Sequence, residues 1–583
     1  MPKKEDSNIE YARHSLAHLL AAAVLELYPE TKNTIGPAIE NGFYYDFEFQ
    51  EPISENDLQK IEEKMRELLK GWNSFERKEV TPAEAKRHFA ENPYKLELIE
   101  EFSKEGKTLS LYTSGGFTDL CRGGHVDDVK KEIKPDAFKL DRIAGAYWRG
   151  NEKNKMLTRI YGLAFASKKE LDDYLALIEE SKKRDHKKLG PELDLFTFSE
   201  LVGSGLPLWT PKGTLLRNLL DGYVWELRKA VGYEQVDIPH LTKKDLYERS
   251  GHWEKFKDEL FRVQTREGHL LAIKPMNCPH HTQIYARRPW SYRELPQRYA
   301  STTKVYRDEQ SGELAGLSRV RAITQDDAHV FCRRSQILEE MGKIWDIIQT
   351  FYSSFGFSLE IRLSLSDPEH MEKYLGDQKT WGVAENELRT LVKQRGVETV
   401  EAVGEAAFYG PKIDFMGKDS LGREWQVATI QLDMNMPERF DLSCTNEKGV
   451  SERIVIIHAA IMGSIERFLS ILIEHYAGAF PVWLAPMQVV LIPINEKVSS
   501  YALDVKKKLE ENDVRVTLFE ATETLGKRIR EAELQKVPYI LVVGEKEVAG
   551  GTVNVRTRHA KETETIPLEK FMEKIEKEVK EKK

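Results

Sequence analysis

Between Tyr11 and Leu27 the chain reads YARHSLAHLLAAAVLEL, with Leu16, Leu19, Leu20 and Val24 at the spacing of one helical face. A second stripe, Leu171, Tyr174, Leu175 and Ile178, runs through KKELDDYLALIEESKKRDHKKLG, whose other positions are mostly charged. That pattern predicts a connecting helix with a solvated outer face, contact with RNA being the alternative reading of its charges. Farther on, KVYRDEQSGELAGLSRVRAITQDDAHVF predicts two strands around a Gly-containing loop, with Arg307 and Glu309 ending the first and Arg319 and Arg321 on the second. IVIIHAAIMGSIERFLSILIEHYAG predicts a strand running into a helix that carries Arg467. Past Pro481 and Pro486, the β-rich runs QVVLIPI, VRVTLF and PYILVVG alternate with KKKLEE and GKRIREAEL, which predicts a parallel α/β domain. The expected division is 1–166, an N-terminal α+β domain; 167–192, a linker helix; 193–485, a central domain; and 486–583, the C-terminal domain. No internal repeat is visible, and only the charged last dozen residues are compositionally biased.

Composition narrows the class. A chain of 583 residues with 40% apolar content can bury several cores. A net charge of −8 makes any nucleic-acid contact depend on local basic patches rather than overall charge. Four separated cysteines (Cys121, Cys278, Cys332, Cys444) are no disulfide framework and suggest a reducing compartment. The start MPKKEDSN lacks the apolar core of a signal peptide, and no apolar run is long enough to span a membrane, so a cytoplasmic location without membrane contact is expected.

Candidate chemistry begins at DLCRGGHVD, where Cys121 and His125 stand four residues apart around two glycines. Taken alone they would be an ordinary buried thiol and a core histidine. On the first helix, however, His14 and His18 are one turn apart and point the same way. Three imidazoles and a thiol suit either a zinc cage or a hydrolytic pocket, and spacing does not choose between them. The arginine hairpin is a good anion clamp, because guanidinium groups bind phosphate oxygens bidentately. Arg467 by itself would be a surface arginine.

The order of these strings is more specific than any one of them. RDE in a hairpin, GSIER opening a helix, and VWELRKAVGYEQVDIP ending at Pro239 resemble the three motifs of class II aminoacyl-tRNA synthetases. KPMNCP, TQDDAH, FYGPKIDF, IQLDMN and HAAIMGSIERF together resemble the threonyl-tRNA synthetase family, and HSLAH with DLCRGGH resembles its editing domain. The resemblance extends from about Tyr11 to Arg558. It implies an α+β editing domain, a class II antiparallel-sheet core with flanking helices, and a C-terminal α/β anticodon-binding domain. The implied activity is charging of tRNA(Thr) with L-threonine through ATP, by a homodimer.

By resemblance, Cys278, His329 and His458 bind one zinc ion, with an open position for threonine. Arg307 would hold the α-phosphate of ATP, Glu309 the adenine amine, and Arg319 and Arg467 the γ-phosphate and adenine face, with Gln426 also in the ATP site and Mg²⁺ on the pyrophosphate. Met276, Gln325, Asp327, Tyr409 and Gln431 would surround threonine, and Lys412 would lie near the reacting phosphate. His252 matches a position close to the tRNA terminal ribose, its other reading being a hydrogen-bonded loop histidine. His14, His18, Cys121 and His125, helped by Lys95 and Asp119, would hydrolyse mischarged seryl-tRNA, with Gly123 and Gly124 letting backbone amides approach the ribose. Glu547 and Arg556 match anticodon contacts.

The chain departs from the family pattern in places. Ile323 replaces a Phe expected to stack on adenine, Gly124 stands where many relatives carry Pro, and Thr522 replaces an Asn near the anticodon. Only about ten residues precede Tyr11, so the small β-grasp domain of many bacterial relatives is expected to be missing. Two rival readings remain. One is a metallohydrolase with catalytic zinc on His14, His18, Cys121 and His125, which leaves the arginine hairpin unused. The other is an RNA-binding paralogue without catalysis, which predicts broken motifs where Arg307, Arg467, Cys278, His329 and His458 are all present.

Overall fold

The computed structural model describes residues 4–560 and 562–583; residues 1–3 of the start read above for a targeting signal lie outside the described residues. A first compact unit ends at Glu180 and a second spans Ser181–Lys583. Among the described residues no helix is long and apolar enough to cross a membrane.

In the first unit, helix α1 (Lys4–Leu27) lays its Leu16, Leu19, Leu20 and Val24 stripe against Phe43, Tyr45 and Phe47 of strand β1 (Gly42–Glu48). Burying each such side chain contributes about 1.5–3 kcal/mol, which fixes the face of α1 that looks inward. His14 and His18 lie along the edge of that face, His18 buried and His14 half-buried. Helix α2 (Pro93–Lys104) starts on an Asn92 cap, with Pro93 at its first position, and presents Lys95 to the interior. Strands β2 (Leu109–Ser114) and β3 (Phe117–Leu120) form an antiparallel hairpin beside Glu76–Val80 and deliver Asp119 and Cys121. Strands β4 (Phe138–Tyr147) and β5 (Met156–Ala164) complete the five-stranded sheet that contains β1.

The charged stretch read as one linker helix forms two, α3 (Lys168–Arg184) and α4 (His186–Glu192). Asp185 breaks the run, because its backbone leaves the helical region and its carboxylate caps the Lys187 amide. Helices α5 (Pro211–Ala230), α6 (Cys278–Tyr285) and, after two strands, α7 (Ile337–Ser353) flank an eight-stranded sheet. Its centre is antiparallel, in the order β6 (Gln297–Tyr306), β7 (Ala322–Cys332), β11 (Val455–Ala460), β10 (Glu424–Asp433), β9 (Lys412–Lys418), β8 (Leu359–Leu365). Trp345, Ile348 and Tyr352 of α7 pack with Leu220, Ile430, Leu432 and Ile457 in the largest core, which leaves the other face of the sheet for the site. Helix α8 (Ile465–His475) follows β11, capped by Ser464. The strand expected before Pro239 is short, Glu234–Gln235, and pairs parallel with β6.

Arg319 and Arg321 sit in the loop ahead of β7, not on the strand as the pattern suggested; β7 starts at Ala322, and the Arg307 amide closes the loop by donating to the Arg321 carbonyl. The C-terminal sheet has its own core around Leu491, Leu541 and Val555. Strands Val516–Leu518, β12 (Val489–Pro493) and β13 (Tyr539–Val543) are parallel, but β14 (Thr552–Thr557) and Thr563–Pro567 return antiparallel. The sheet is therefore mixed rather than parallel, because the connection from β13 to β14 is the short helix α10 (Glu545–Gly550), following α9 (Leu525–Leu534), and is too brief for a parallel crossover.

Candidate active site

Strand register lines up one row across the sheet of the second unit: Tyr299, His329, His458, Gln431, Lys412 and Ser364 are successive cross-strand partners. Residues opposite one another in a sheet project from the same face, so the row gathers side chains that are far apart in sequence. His329 Nε2 and His458 Nδ1 are 2.9 Å apart. Cys278, the first residue of α6, brings its sulfur within 4.8 Å of both. His458 Nε2 donates to the Asp433 carboxylate at 3.0 Å, leaving Nδ1 as a lone pair turned toward His329. His329 Nδ1 meets His281 Nδ1 at 2.8 Å, and His281 Nε2 meets Ser301 Oγ at 3.1 Å. The His329 and His458 nitrogens are close enough to share one hydrogen or to hold a metal ion between them. Burial holds His329 well below the usual imidazole range and pushes the Cys278 thiol well up. One sulfur and two outer-held imidazoles on one face fit the expected zinc site, including the carboxylate–histidine support typical of metal ligands.

His252, expected either near the tRNA terminal ribose or as a hydrogen-bonded loop histidine, opens the short helix His252–Lys255 and is fully buried, with Nε2 3.5 Å from the Cys278 sulfur and Nδ1 2.8 Å from Ser250 Oγ. Burial lowers its pKa to about 3. Around the same row, the Tyr409 hydroxyl donates to Gln431 Oε1, and the Tyr409 ring lies 4.9 Å from that of His458. Asp327 is buried two residues before His329 on β7, its pKa pushed up to about 6 by burial. Gln325 alternates onto the same face and bridges to Ser464 at the start of α8.

The arginines form the neighbouring wall. Arg307 packs 4.9 Å over the Phe256 ring, its Nη2 is 3.5 Å from the Met276 sulfur, and its buried Nε has no partner among the described residues. Arg319 pairs with Glu309 at 2.7 Å and Glu313 at 3.1 Å. Arg467 Nε donates to the Ser318 carbonyl at 3.2 Å, and its pKa is lowered by burial and by the nearby Arg307 and Arg319. Crowded guanidinium groups with an orphaned N–H form a site for an anion. Lys412 and Gln426 both bind Asp414, at 2.6 and 2.7 Å, which also accepts from Ser364 and Thr429. Ile323, on β7 beside the loop, is half-buried.

In the first unit, the side chains of His14, His18, Cys121 and His125 place one ligand atom each within 4.8 Å of one another. The Cys121 sulfur lies 3.3 Å from His125 Nε2 and 3.5 Å from His14 Nε2. The glycines serve the loop itself. Gly123 and Gly124 adopt φ of +101° and +87°, a region that L side chains rarely enter. In that conformation the Gly123 amide donates to the Cys121 sulfur at 3.3 Å, and the Gly124 carbonyl meets His14 Nδ1 at 3.3 Å. Proline, fixed near φ −65°, could not take the Gly124 conformation. Burial raises the Cys121 thiol to about 11 and lowers His125 to about 2, so at neutral pH the pocket presents a thiol and a weakly basic imidazole. Lys95 and Asp119 sit beneath, joined at 2.5 Å, with the Tyr45 hydroxyl donating to the other Asp119 oxygen at 2.5 Å.

In the C-terminal domain, Arg556 on β14 reaches Glu533 at 3.4 Å and lines a cavity of about 630 Å³ with Arg184, Lys536 and Arg558. The Glu547 carboxylate accepts from the Gly544 amide at 2.9 Å and caps α10. Thr522 lies exposed in the turn before α9. Residue spacing did not single out His281, Asp433, Asp414 or Tyr45. The only signals for Asp433 and Asp414 were their places in the quoted IQLDMN and FYGPKIDF; the other two acquire partners through sheet and helix packing alone.

Three family models match the chain: "tRNA synthetase class II core domain (G, H, P, S and T)" over 261–476, "Anticodon binding domain" over 488–578, and "Threonyl and Alanyl tRNA synthetase second additional domain" over 109–161. The last includes Cys121 and His125 but stops short of α1. Among curated relatives, the threonine–tRNA ligase of Flavobacterium johnsoniae is 49% identical over 574 residues, covering 97% of this chain and 88% of its own length. The Porphyromonas gingivalis threonine–tRNA ligase is 50% identical over 573 residues, with 97% and 87% covered. A crystal structure titled as the RNA binding domain of threonyl-tRNA synthetase from Cryptosporidium parvum Iowa II is similar at TM-score 0.65 and 36% identity, covering 68% of this chain and 98% of that one.

Proposed function

The chain belongs to the threonyl-tRNA synthetase family, and from that premise we propose that the sheet row and the arginine wall form one aminoacylation site while the His/Cys pocket of the first unit removes serine charged in error. It is a class II threonine–tRNA ligase, using ATP to join threonine to tRNA. The observation that carries the site assignment is the His329–His458–Gln431 row with Cys278 at its side, flanked by Arg307, whose buried Nε–H has no partner among the described residues, and by Arg319 and Arg467.

Cys278, His329 and His458 would hold zinc, which would read the amine and hydroxyl of threonine. Asp327 and Gln325 face the same volume and would orient the amino acid, while the Tyr409–Gln431 pair closes its side. Arg307, with its unpaired N–H, would take the α-phosphate; Arg319 and Arg467 would take the rest of the ATP, Glu309 the adenine, and Mg²⁺ the pyrophosphate. Threonine's carboxylate then attacks the α-phosphate, pyrophosphate leaves, and the tRNA 3′-terminal ribose takes the acyl group. The chain's contribution is positioning and charge stabilisation. Lys412 and Gln426 share Asp414, and His252 is a neighbour of Cys278.

Serine shares threonine's amine and hydroxyl, and the missing methyl is worth only about 1–3 kcal/mol. A second sieve is therefore required of a metal-reading site. Burial favours the neutral thiol of Cys121, and with the neighbouring imidazoles it suits the first unit for holding a water against an ester. We assign the homodimer, the cytoplasm, and anticodon contacts by Arg556 and Glu547 on the same family premise.

The deciding experiment is ATP–pyrophosphate exchange with threonine, serine and valine, with metal content measured, on the wild type and Cys278→Ser. One zinc per chain lost in Cys278→Ser together with threonine exchange supports the reading; serine should exchange weakly and valine not at all. The four-ligand geometry of the first pocket also admits the metallohydrolase reading, which would prevail if the zinc survived Cys278→Ser and disappeared in His14→Ala.

A further inference from the structure

We propose that His186 is a positioning residue for ATP: its imidazole ties the loop between β6 and β7 to the end of α8 and so sets the spacing of Arg307, Glu309 and Arg319. The inference rests on the reading of those three residues as the ATP site. His186 opens α4 and is 4% exposed. Its Nδ1 lies 2.6 Å from Glu474 Oε1, near the end of α8. The other Glu474 oxygen pairs with Arg423 at 2.5 Å, so this carboxylate accepts and the imidazole donates. Nε2 is left with a lone pair, and the Leu317 amide donates to it at 3.0 Å.

Leu317 is fully buried and lies two residues from Arg319, while the next carbonyl, Ser318, accepts from Arg467. The loop crest is thus held from one side by His186 and from the other by Arg467. Gly316, at φ +54°, lets the chain approach: a Cβ there would sit 2.3 Å from His186 Nε2. A neutral imidazole is what makes the bridge, since it donates at one nitrogen and accepts at the other; no aliphatic side chain does either. Removing it would leave the buried Leu317 amide unpaired and free the crest to shift.

The test is the KM for ATP and for threonine in pyrophosphate exchange, with melting temperature recorded, for His186→Ala, His186→Asn, His186→Gln, Gly316→Ala and the double variant His186→Ala/Gly316→Ala. Arg319→Ala serves as the control on the ATP site. Glutamine can place an acceptor where Nε2 stood, whereas asparagine can replace only the donor toward Glu474. We expect His186→Ala and His186→Asn to raise the ATP KM about tenfold with the threonine KM within about twofold, and His186→Gln to restore most of the difference. Gly316→Ala should raise it as well, and the double variant should be no worse than the poorer single one, because both act through the same contact. An unchanged ATP KM in His186→Asn alongside a raised one in Arg319→Ala overturns the proposal. So does a rise of both KM values together with a lower melting temperature, or equal behaviour of the Asn and Gln variants. An unchanged ATP KM in Arg319→Ala instead overturns the reading of the loop as the ATP site.

Discussion

Lys95 Nζ and Asp119 Oδ1 meet at 2.5 Å with both side chains 2% exposed, so the first unit carries a fully buried ion pair directly under its reactive pocket. Removing one partner of such a pair leaves a buried charge uncompensated and typically costs about 3–5 kcal/mol. Asp119→Asn should therefore lower the melting transition of the first unit markedly. Lys95→Met/Asp119→Asn should recover much of that loss in calorimetry without recovering seryl-tRNA hydrolysis. Recovery of hydrolysis by the double variant would show that the pair serves stability alone.

The support around the metal ligands leads to a second expectation. His458 donates to Asp433, and partners of this kind tune metal affinity by about 10–100-fold. Asp433→Asn keeps the shape and removes the charge. Zinc competition with a chelator should show weaker binding within that range, and threonine exchange should be restored by added zinc. Unaltered affinity would mean that the Asp433 contact does not orient the ring.

Acid should loosen the first unit through His125. Its pKa is about 2 folded against about 6.5 for an unperturbed imidazole. Between those values the unfolded chain binds more protons, so stability rises with pH and is lost as pH falls from about 6.5 downward. Calorimetry of the full chain between pH 7 and pH 5 should show a declining transition for the wild type, and the decline should be shallower in His125→Gln. Parallel curves would assign the acid sensitivity to other histidines.

Ile323 offers a gain of function. An aromatic stack is worth about 0.5–1.5 kcal/mol beyond burial. Ile323→Phe should lower the ATP KM by roughly two- to tenfold, with the threonine KM unmoved. Equal ATP constants would place Ile323 outside the adenine site.

Gly124 tests the loop. Gly124→Pro cannot hold φ +87° and would break the Gly124 carbonyl contact with His14. Deacylation of seryl-tRNA should fall at least tenfold while threonine exchange stays unchanged; retained deacylation would mean that the loop rebuilds around proline.

Local pattern determined a good deal. The stripe of Leu16, Leu19, Leu20 and Val24 fixed α1 and its inward face, because helix period and burial agree there. The ordered strings fixed the family, and with it the expected ligands. Where one residue decided a local boundary, pattern was weaker: a linker read as one helix is cut by the Asp185 cap, and Arg319 and Arg321 fall in the loop before β7. Tertiary structure alone decided what meets what. His329, His458 and Gln431 share a row because antiparallel register places them opposite one another, and Cys278 joins them only because α6 packs beside β7. His186, Glu474 and Leu317 come from three separated segments, and Lys95 finds Asp119 across a helix and a hairpin. Sequence periodicity reports which face of an element is buried, since burial follows the local repeat. It carries no record of register or of the partner across the interface, which only the simultaneous packing of many elements fixes.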